Sequence, residues 1–341
     1  MAGRVAAPPP RRYSALQGWG RMLTPLFPPV FYPRVWGARD LRRWYPERGL
    51  EPEPIGEAWL SPPGCPVLIK LLFPCQPVSM QVHPDDAYAA AHRFPGGKSE
   101  AWHVLEAAPG ARLGIGLRAG TAAWSELEPA CRAGNAAQLL QWLPATTGDT
   151  FNIPAGTVHA IGAGLVLFEV QQPADVTFRL DDFGRGRPLQ LDHGLAVARP
   201  TTAGKVPPAA DGVLLDTPFF SLRRHAWPCG GALAPWPQPR WLFNLAPPNP
   251  DPAGGQSRQL GNATSRAGAR CRQSKPAHER PAPGPPARSA GVAAGATQRK
   301  VASHLPPRGQ VLELPPGVPF QAAGAATLLE VRAGSGPVFG A

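Results

Sequence analysis

Short apolar runs and alternating positions organise most of this chain, and helical spacing governs only a few stretches of it. Val67–Phe73 (VLIKLLF) has the aliphatic, β-branched content of one buried strand, and VSMQVH repeats that content after Pro74 and Pro77. The pattern predicts two neighbouring strands. AWHVLEA, ARLGIGL, LVLFEVQQ and VTFRL read as further strands. In PDDAYAAAHR, Pro84 suits the first helical position and Asp85 and Asp86 suit the positive end of a helix dipole, so a short helix is expected there. Trp124, Leu127 and Cys131, then Leu139, Leu140 and Leu143, recur at helical spacing. A helical insert at about 118–145 is therefore expected to interrupt a β-barrel. Strand patterning returns after Thr201 in GVLLD, FFSLRR and WLFNL, and again in QVLELPPG and ATLLEVRA, which predicts a second, smaller barrel.

Composition supports this mainly β reading. The 46 prolines and 38 glycines among 341 residues favour short strands joined by turns, and 43% apolar residues suffice for a core. No apolar run reaches the length of about 18 residues that a membrane helix needs, and MAGRVAAPPPRR lacks the apolar stretch of a signal peptide. Five scattered cysteines without C-x-x-C spacing imply neither a disulfide framework nor a thiolate metal site. A cytoplasmic protein with no membrane partner is expected.

The net charge of +11 is concentrated, which changes its meaning. Pro248–Arg308 holds ten lysines or arginines against Asp251 and Glu279, with four large aliphatic side chains and no aromatic residue. Such a stretch cannot bury enough surface to offset ordering, so it is expected to be a disordered or frame-shifted basic segment. No nucleic-acid role is drawn from it.

Chemistry gathers in the first barrel. Gln81 and His83, two apart in one strand, project from the same face. Glu100 opens a later strand, and GDTFNIPAGTVHA brings His159 just after a Pro-x-Gly turn. Singly, each histidine reads as an ordinary, partly buried residue, and Glu100 could pair with Lys98. Together with the spacing from Gly148 through Pro154 and Gly156 to His159, which resembles the second cupin motif, they read as a bowl of ligands for a borderline divalent ion such as zinc.

Six ordered segments then resemble one family: VWGARDL, IGEAWLS, VSMQVHPDDAYA, GKSEAWHVL, GDTFNIPAGTVHAI and EVQQPADVTFRLDDFGR. From about Phe31 to His193 the chain is similar to a type I mannose-6-phosphate isomerase of the compact bacterial kind, a member of the cupin superfamily. The resemblance implies a jelly-roll β-barrel with one Zn2+ per chain, held by Gln81, His83, Glu100 and His159. It implies Arg179 as the catalytic arginine, Glu169 and Asp175 as acids beside the reacting carbons, and Ser79, Lys98 and Lys70 around the phosphate. The activity implied is interconversion of mannose 6-phosphate and fructose 6-phosphate through a metal-stabilised cis-enediolate. The alternatives are an isomerase of another sugar phosphate, or a non-catalytic sugar-phosphate-binding cupin acting as a sensor or inactive paralogue. Oligomeric state stays open.

The domain boundaries expected are an N-terminal tail at 1–30, a catalytic cupin barrel at 31–200, the basic segment at 248–308, and a degenerate cupin-like barrel from 201–247 with 309–341. Arg185 and Arg187 read as a solvated basic face. Trp102 reads as core packing near the barrel mouth.

Overall fold

The structure, a computed structural model, describes residues 26–245 and 305–334 except 63, 120–123, 208, 210, 307 and 323. In chain order the strands begin with β1 (Leu26–Phe27), β2 (Val30–Asp40), β3 (Leu50–Trp59), β4 (Leu68–Leu72), β5 (Met80–Val82), β6 (Glu100–Ala107) and β7 (Arg112–Leu117). They continue with β8 (Leu140–Pro144), β9 (Thr150–Ile153), β10 (His159–Ile161), β11 (Leu165–Gln171), β12 (Phe178–Asp181) and β13 (Gly204–Val206). The last are β14 (Val213–Asp216), β15 (Phe220–Trp227), β16 (Gly231–Leu233), β17 (Arg240–Asn244), β18 (Val311–Leu314), β19 (Phe320–Ala322) and β20 (Ala326–Ala333). The α-helices whose bounds lie within the described residues are α1 (Asp86–Ala91), α2 (Leu127–Ala133) and α3 (Leu191–Val197), with a 3-10 turn at Ala136–Leu139.

A seven-stranded sheet (β13-β9-β6-β11-β4-β3-β2) faces a five-stranded one (β12-β5-β10-β7-β8). Between them Trp36, Trp102, Val104, Phe151 and Leu167 from the larger sheet meet Leu113, Ile115 and Ile161 from the smaller. The outer face of the five-stranded sheet is covered by α2 and α3 through Leu127, Cys131 and Val197. A six-stranded sheet (β1-β18-β17-β20-β15-β14) with the β16-β19 pair forms the C-terminal unit, closed around Leu242, Leu312, Leu328 and Phe320.

β4 and β11 are covered on both faces, and apart from Lys70, Glu169 and Gln171 their residues are apolar. Along β11, Glu169 and Gln171 point into the first barrel, while Phe168 and Val170 join Ile69, Leu71, Trp241, Phe243 and Val331 in a core shared by the two barrels. The Phe168 and Phe243 ring centroids lie 4.8 Å apart. Phe168→Ala is expected to cost about 3–5 kcal/mol in chemical denaturation. A loss under about 1 kcal/mol would mean that the barrels do not depend on this shared core.

Several expectations need correction. β4 and β5 are not neighbours: β4 pairs with β3 and β11, and β5 with β10 and β12. Pro74 and Pro77 lack the N–H groups a hairpin ladder would use, and the chain instead crosses between sheets, with Cys75 and Gln76 N–H donating to Trp36 O. Leu140 and Leu143, read as helical, lie in β8, where Leu143 sits opposite Leu113 and covers the edge of β7. Pro84 precedes rather than enters α1, whose cap is Asp85, its carboxylate accepting from Tyr88 N at 2.8 Å. The tail ends earlier than residue 30, since β1 pairs Leu26 with Leu312 and Phe27 with Val311. Most of the basic segment, through residue 304, lies outside the described residues. Its end does not fit the expectation: the Arg308 guanidinium stacks 3.7 Å over Trp44 and donates to Arg43 O, and Tyr45 Oη donates to Gly309 O.

Candidate active site

Strand register assembles the site. Across β12, β5 and β10, Arg179, Gln81 and His159 form one cross-strand row. Across β4, β11 and β6, Lys70, Glu169 and Trp102 form another, with Gln171 opposite Glu100. Two turns fix the ends of these strands. Gly156, at φ 88°, makes the corner before His159, where a side chain would be strained. Gly97 presses against the start of α1, where a Cβ would stand 2.5 Å from Asp86 N, and so delivers Lys98 and Glu100 to the barrel interior.

His83, Glu100 and His159 converge with their ligand atoms all within 4.8 Å of one another. Glu100 Oε1 is 3.3 Å from His159 Nε2, and Glu100 Oε2 is 3.6 Å from His83 Nε2. Gln81 Nε2 lies 3.2 Å from His159 Nε2, so a half-turn of that amide places its oxygen in the same cluster. Donor atoms at the corners of a tetrahedron around zinc lie about 3.3 Å apart. His159 Nδ1 is held by Thr157 O at 2.9 Å, which leaves Nε2 with its lone pair toward the centre. Neither His83 nitrogen nor either Glu100 oxygen makes a hydrogen bond, although Lys98 Nζ lies 3.1 Å from Glu100 Oε2. Buried polar atoms without partners are costly, and a cation between them removes that cost. The donors therefore fit a divalent ion.

Electrostatics prepare the same donors. Burial, with Lys98 nearby, lowers the His83 pKa to about 3. Burial also lowers that of His159. Burial alone would raise the Glu100 carboxyl, but Lys98 and the two imidazoles hold it well below its ordinary value. Two neutral imidazoles and a carboxylate at neutral pH are the forms that a metal takes.

Beside this centre opens a cleft of about 430 Å³, whose walls include Lys70, Ser79, Gln81, Lys98, Glu169, Asp175 and Arg179. Trp102 Nε1 donates to Glu169 Oε2 at 3.0 Å, and Lys70 Nζ lies 3.3 Å from Glu169 Oε1. Burial and then the Glu100 charge raise the Glu169 pKa, against the pull of Lys70 and Lys98. Asp175 is half-exposed at the mouth, and Lys70, Lys98 and Arg34 outweigh its burial and lower its pKa. Ser79 Oγ donates to Gln81 Oε1 at 3.2 Å. Arg179 donates through Nη1 to Pro188 O at 2.7 Å, while its buried Nε has no hydrogen-bond partner. A buried carboxylate and a guanidinium thus share a cleft beside a group of donors that could hold a divalent ion.

No family model matches the chain. It is 36% identical over 181 residues to the mannose-6-phosphate isomerase of Streptococcus mutans, covering 49% of this chain and 56% of that one. A Bacillus subtilis protein named probable mannose-6-phosphate isomerase GmuF is 31% identical over 219 residues, 52% of this chain and 69% of the relative. The chain belongs to the mannose-6-phosphate isomerase family. Against mannose-6-phosphate isomerase ManA of Bacillus subtilis, identity is 40% over 121 residues, only 38% of that relative. The chain thus spans about half, or less, of the length of the Streptococcus mutans and ManA relatives. The crystal structure of the Bacillus subtilis mannose 6-phosphate isomerase superposes with a TM-score of 0.61 at 19% identity, covering 91% of this chain and 100% of that one. A variant of the Salmonella typhimurium phosphomannose isomerase superposes at 0.59 and 13% identity. These neighbours share the mainly β, cupin-like fold.

Within this family frame, the ten site residues read from the sequence fall into one region. Gln81 joins His83, Glu100 and His159 at the centre, and the other six line the cleft. Glu100 both faces the imidazoles and pairs with Lys98. The solvated reading of Arg185 and Arg187 is corrected: their side chains are 18% and 24% exposed and close on Asp182, and Arg187 lines the cleft. An acid placed between arginines at positions 179, 185 and 187 was the signal for that cluster. Arg34 and Glu57, a two-pronged pair at 2.9 and 3.0 Å in the cleft wall, were missed, and no spacing announced them. Trp102 is more than packing, because its indole holds Glu169.

Proposed function

We propose that this protein interconverts mannose 6-phosphate and fructose 6-phosphate with one zinc ion held by Gln81, His83, Glu100 and His159. The observation that carries the reading is that His83 and Glu100 are buried without hydrogen-bond partners, in one cluster with His159, beside a cleft that holds Glu169 and Arg179. The names of the family relatives support the substrate. In the open-chain aldose, Glu169 takes the proton from C2 and the C1 carbonyl oxygen gains charge, giving a cis-enediolate. Return of that proton from Glu169 to C1, with the O2 proton passing to O1, yields the ketose. Zinc, when bound, supplies fixed positive charge beside the sugar oxygens where charge develops. Arg179 adds a cation that does not titrate. Asp175 faces the reacting carbons from the mouth, and Lys98 and Ser79 take the phosphate, a dianion suited to a compact ammonium and a hydroxyl donor.

We place the reaction in the cytoplasm, which suits cysteines such as Cys65, Cys75 and Cys131 that form no disulfide among the described residues. No helix among the described residues is long and apolar enough to cross a membrane.

A coupled assay for fructose 6-phosphate, run before chelation, after it and after zinc return, tests the reading. Activity is expected to vanish with chelation and to recover with zinc. Activity that ignores chelation refutes the zinc role, and a folded, zinc-loaded sample that binds mannose 6-phosphate without turnover points to a sensor instead.

A further inference from the structure

Lys70 sits in the middle of β4 between the buried Ile69 and Leu71, and its own side chain is 2% exposed. Its ammonium has three N–H donors, and three oxygens surround it: Gln171 Oε1 at 2.7 Å, Glu169 Oε1 at 3.3 Å and Asp175 Oδ1 at 3.5 Å. The Trp59 ring covers it 5.0 Å away, and that indole donates to Glu57 Oε2. A phosphate reaching Lys70 would have to displace one of these oxygens and stand among the carboxylates of Glu169, Asp175 and Glu57, all like in charge. Gln171 in turn has no freedom to turn away. Its Nε2 donates to Gln172 O at 3.0 Å and Ala174 O at 2.8 Å, which aims its oxygen at Lys70.

The chain of contacts ends on Glu169, held at one oxygen by Lys70 and at the other by Trp102. We infer that Lys70 is a positioning residue that fixes the Glu169 carboxylate for proton transfer and makes no contact with the substrate phosphate. This rests on the isomerase reading for its consequence in turnover, but the fixing of Glu169 is visible without turnover.

The test is Lys70→Met in the full-length, zinc-loaded protein, with Gln171→Met as a second variant that keeps the charge but releases the ammonium. For Lys70→Met, kcat is expected to fall by about 10- to 100-fold, because a displaced catalytic group loses on that order. The KM for mannose 6-phosphate stays within about two-fold of wild type, where loss of a charge-assisted phosphate contact would raise it by about ten-fold or more. Gln171→Met shifts kcat in the same direction by less. Independently of turnover, the indole N–H resonance of Trp102, assigned through Trp102→Phe, moves in both variants as the carboxylate it donates to is released. A raised KM with kcat retained, or an unmoved Trp102 resonance, overturns the inference. If the wild-type protein turns over no mannose 6-phosphate, the isomerase reading fails, and the Trp102 resonance still decides whether Lys70 fixes Glu169.

Discussion

Glu169→Gln is expected to lower kcat for mannose 6-phosphate by about 100- to 10,000-fold, the range a positioned general base supplies. Zinc content and KM should stay near wild type. The substitution keeps the volume of a side chain that is 4% exposed, and an amide oxygen still accepts from Trp102 Nε1. What it removes is the basic lone pair facing the carbon-bound proton. The amide nitrogen then faces Lys70, donor against donor, and offers no basic lone pair to the cleft. The wild-type pH profile carries the same signature. A base acts when ionised, so the rate rises with pH through its pKa. Burial and Glu100 push that pKa above the ordinary glutamate value, against Lys70 and Lys98. The rising limb should therefore vanish from the residual activity of Glu169→Gln. Steady-state kinetics across pH with metal analysis of both proteins checks this, and a variant with full turnover and full zinc removes Glu169 from the base role.

Why the centre was legible while much of its wall was not follows from how far apart the interacting residues lie in sequence. Gln81 and His83 share a face because strand geometry makes alternate residues share one, and His159 follows a proline–glycine corner that has few other uses. Such local rules survive in any tertiary context. Lys70 and Gln171, by contrast, meet across 101 positions of sequence, and nothing on either strand announces the other. The prolines after β4 were read as joining two neighbouring strands, yet they end one sheet and begin another, because a residue without an N–H closes no ladder. Leu139, Leu140 and Leu143 fit a helix and a strand equally well. The open edge of β7 decides between them, and an edge is a property of the assembled sheet. Arg187 was assigned to solvent by its neighbours in sequence, whereas Asp182 draws it into the cleft wall.

The larger expected loss lies at Glu100, the carboxylate in the buried donor cluster among the described residues. Glu100→Gln preserves shape but removes the charge that offsets the metal and that now faces Lys98 at 3.1 Å. Zinc is expected to be absent from the purified variant and activity to fall by more than about 1,000-fold, since charge stabilisation at the reacting oxygens goes with the metal. A thermal measurement separates this from misfolding. A ligand that binds only the folded state stabilises it by about 4 kcal/mol at a thousand times its Kd, so zinc added to chelated wild-type protein should raise its Tm by several degrees. In Glu100→Gln the same zinc should move Tm by little or nothing, while the zinc-free variant melts cooperatively. The surrounding strands are held by Trp102, Val104 and Phe151, none of which is altered. A variant whose Tm still climbs with zinc as the wild type does would place the ion elsewhere, and His83 and Glu100 would then need another reason for being buried together without hydrogen bonds.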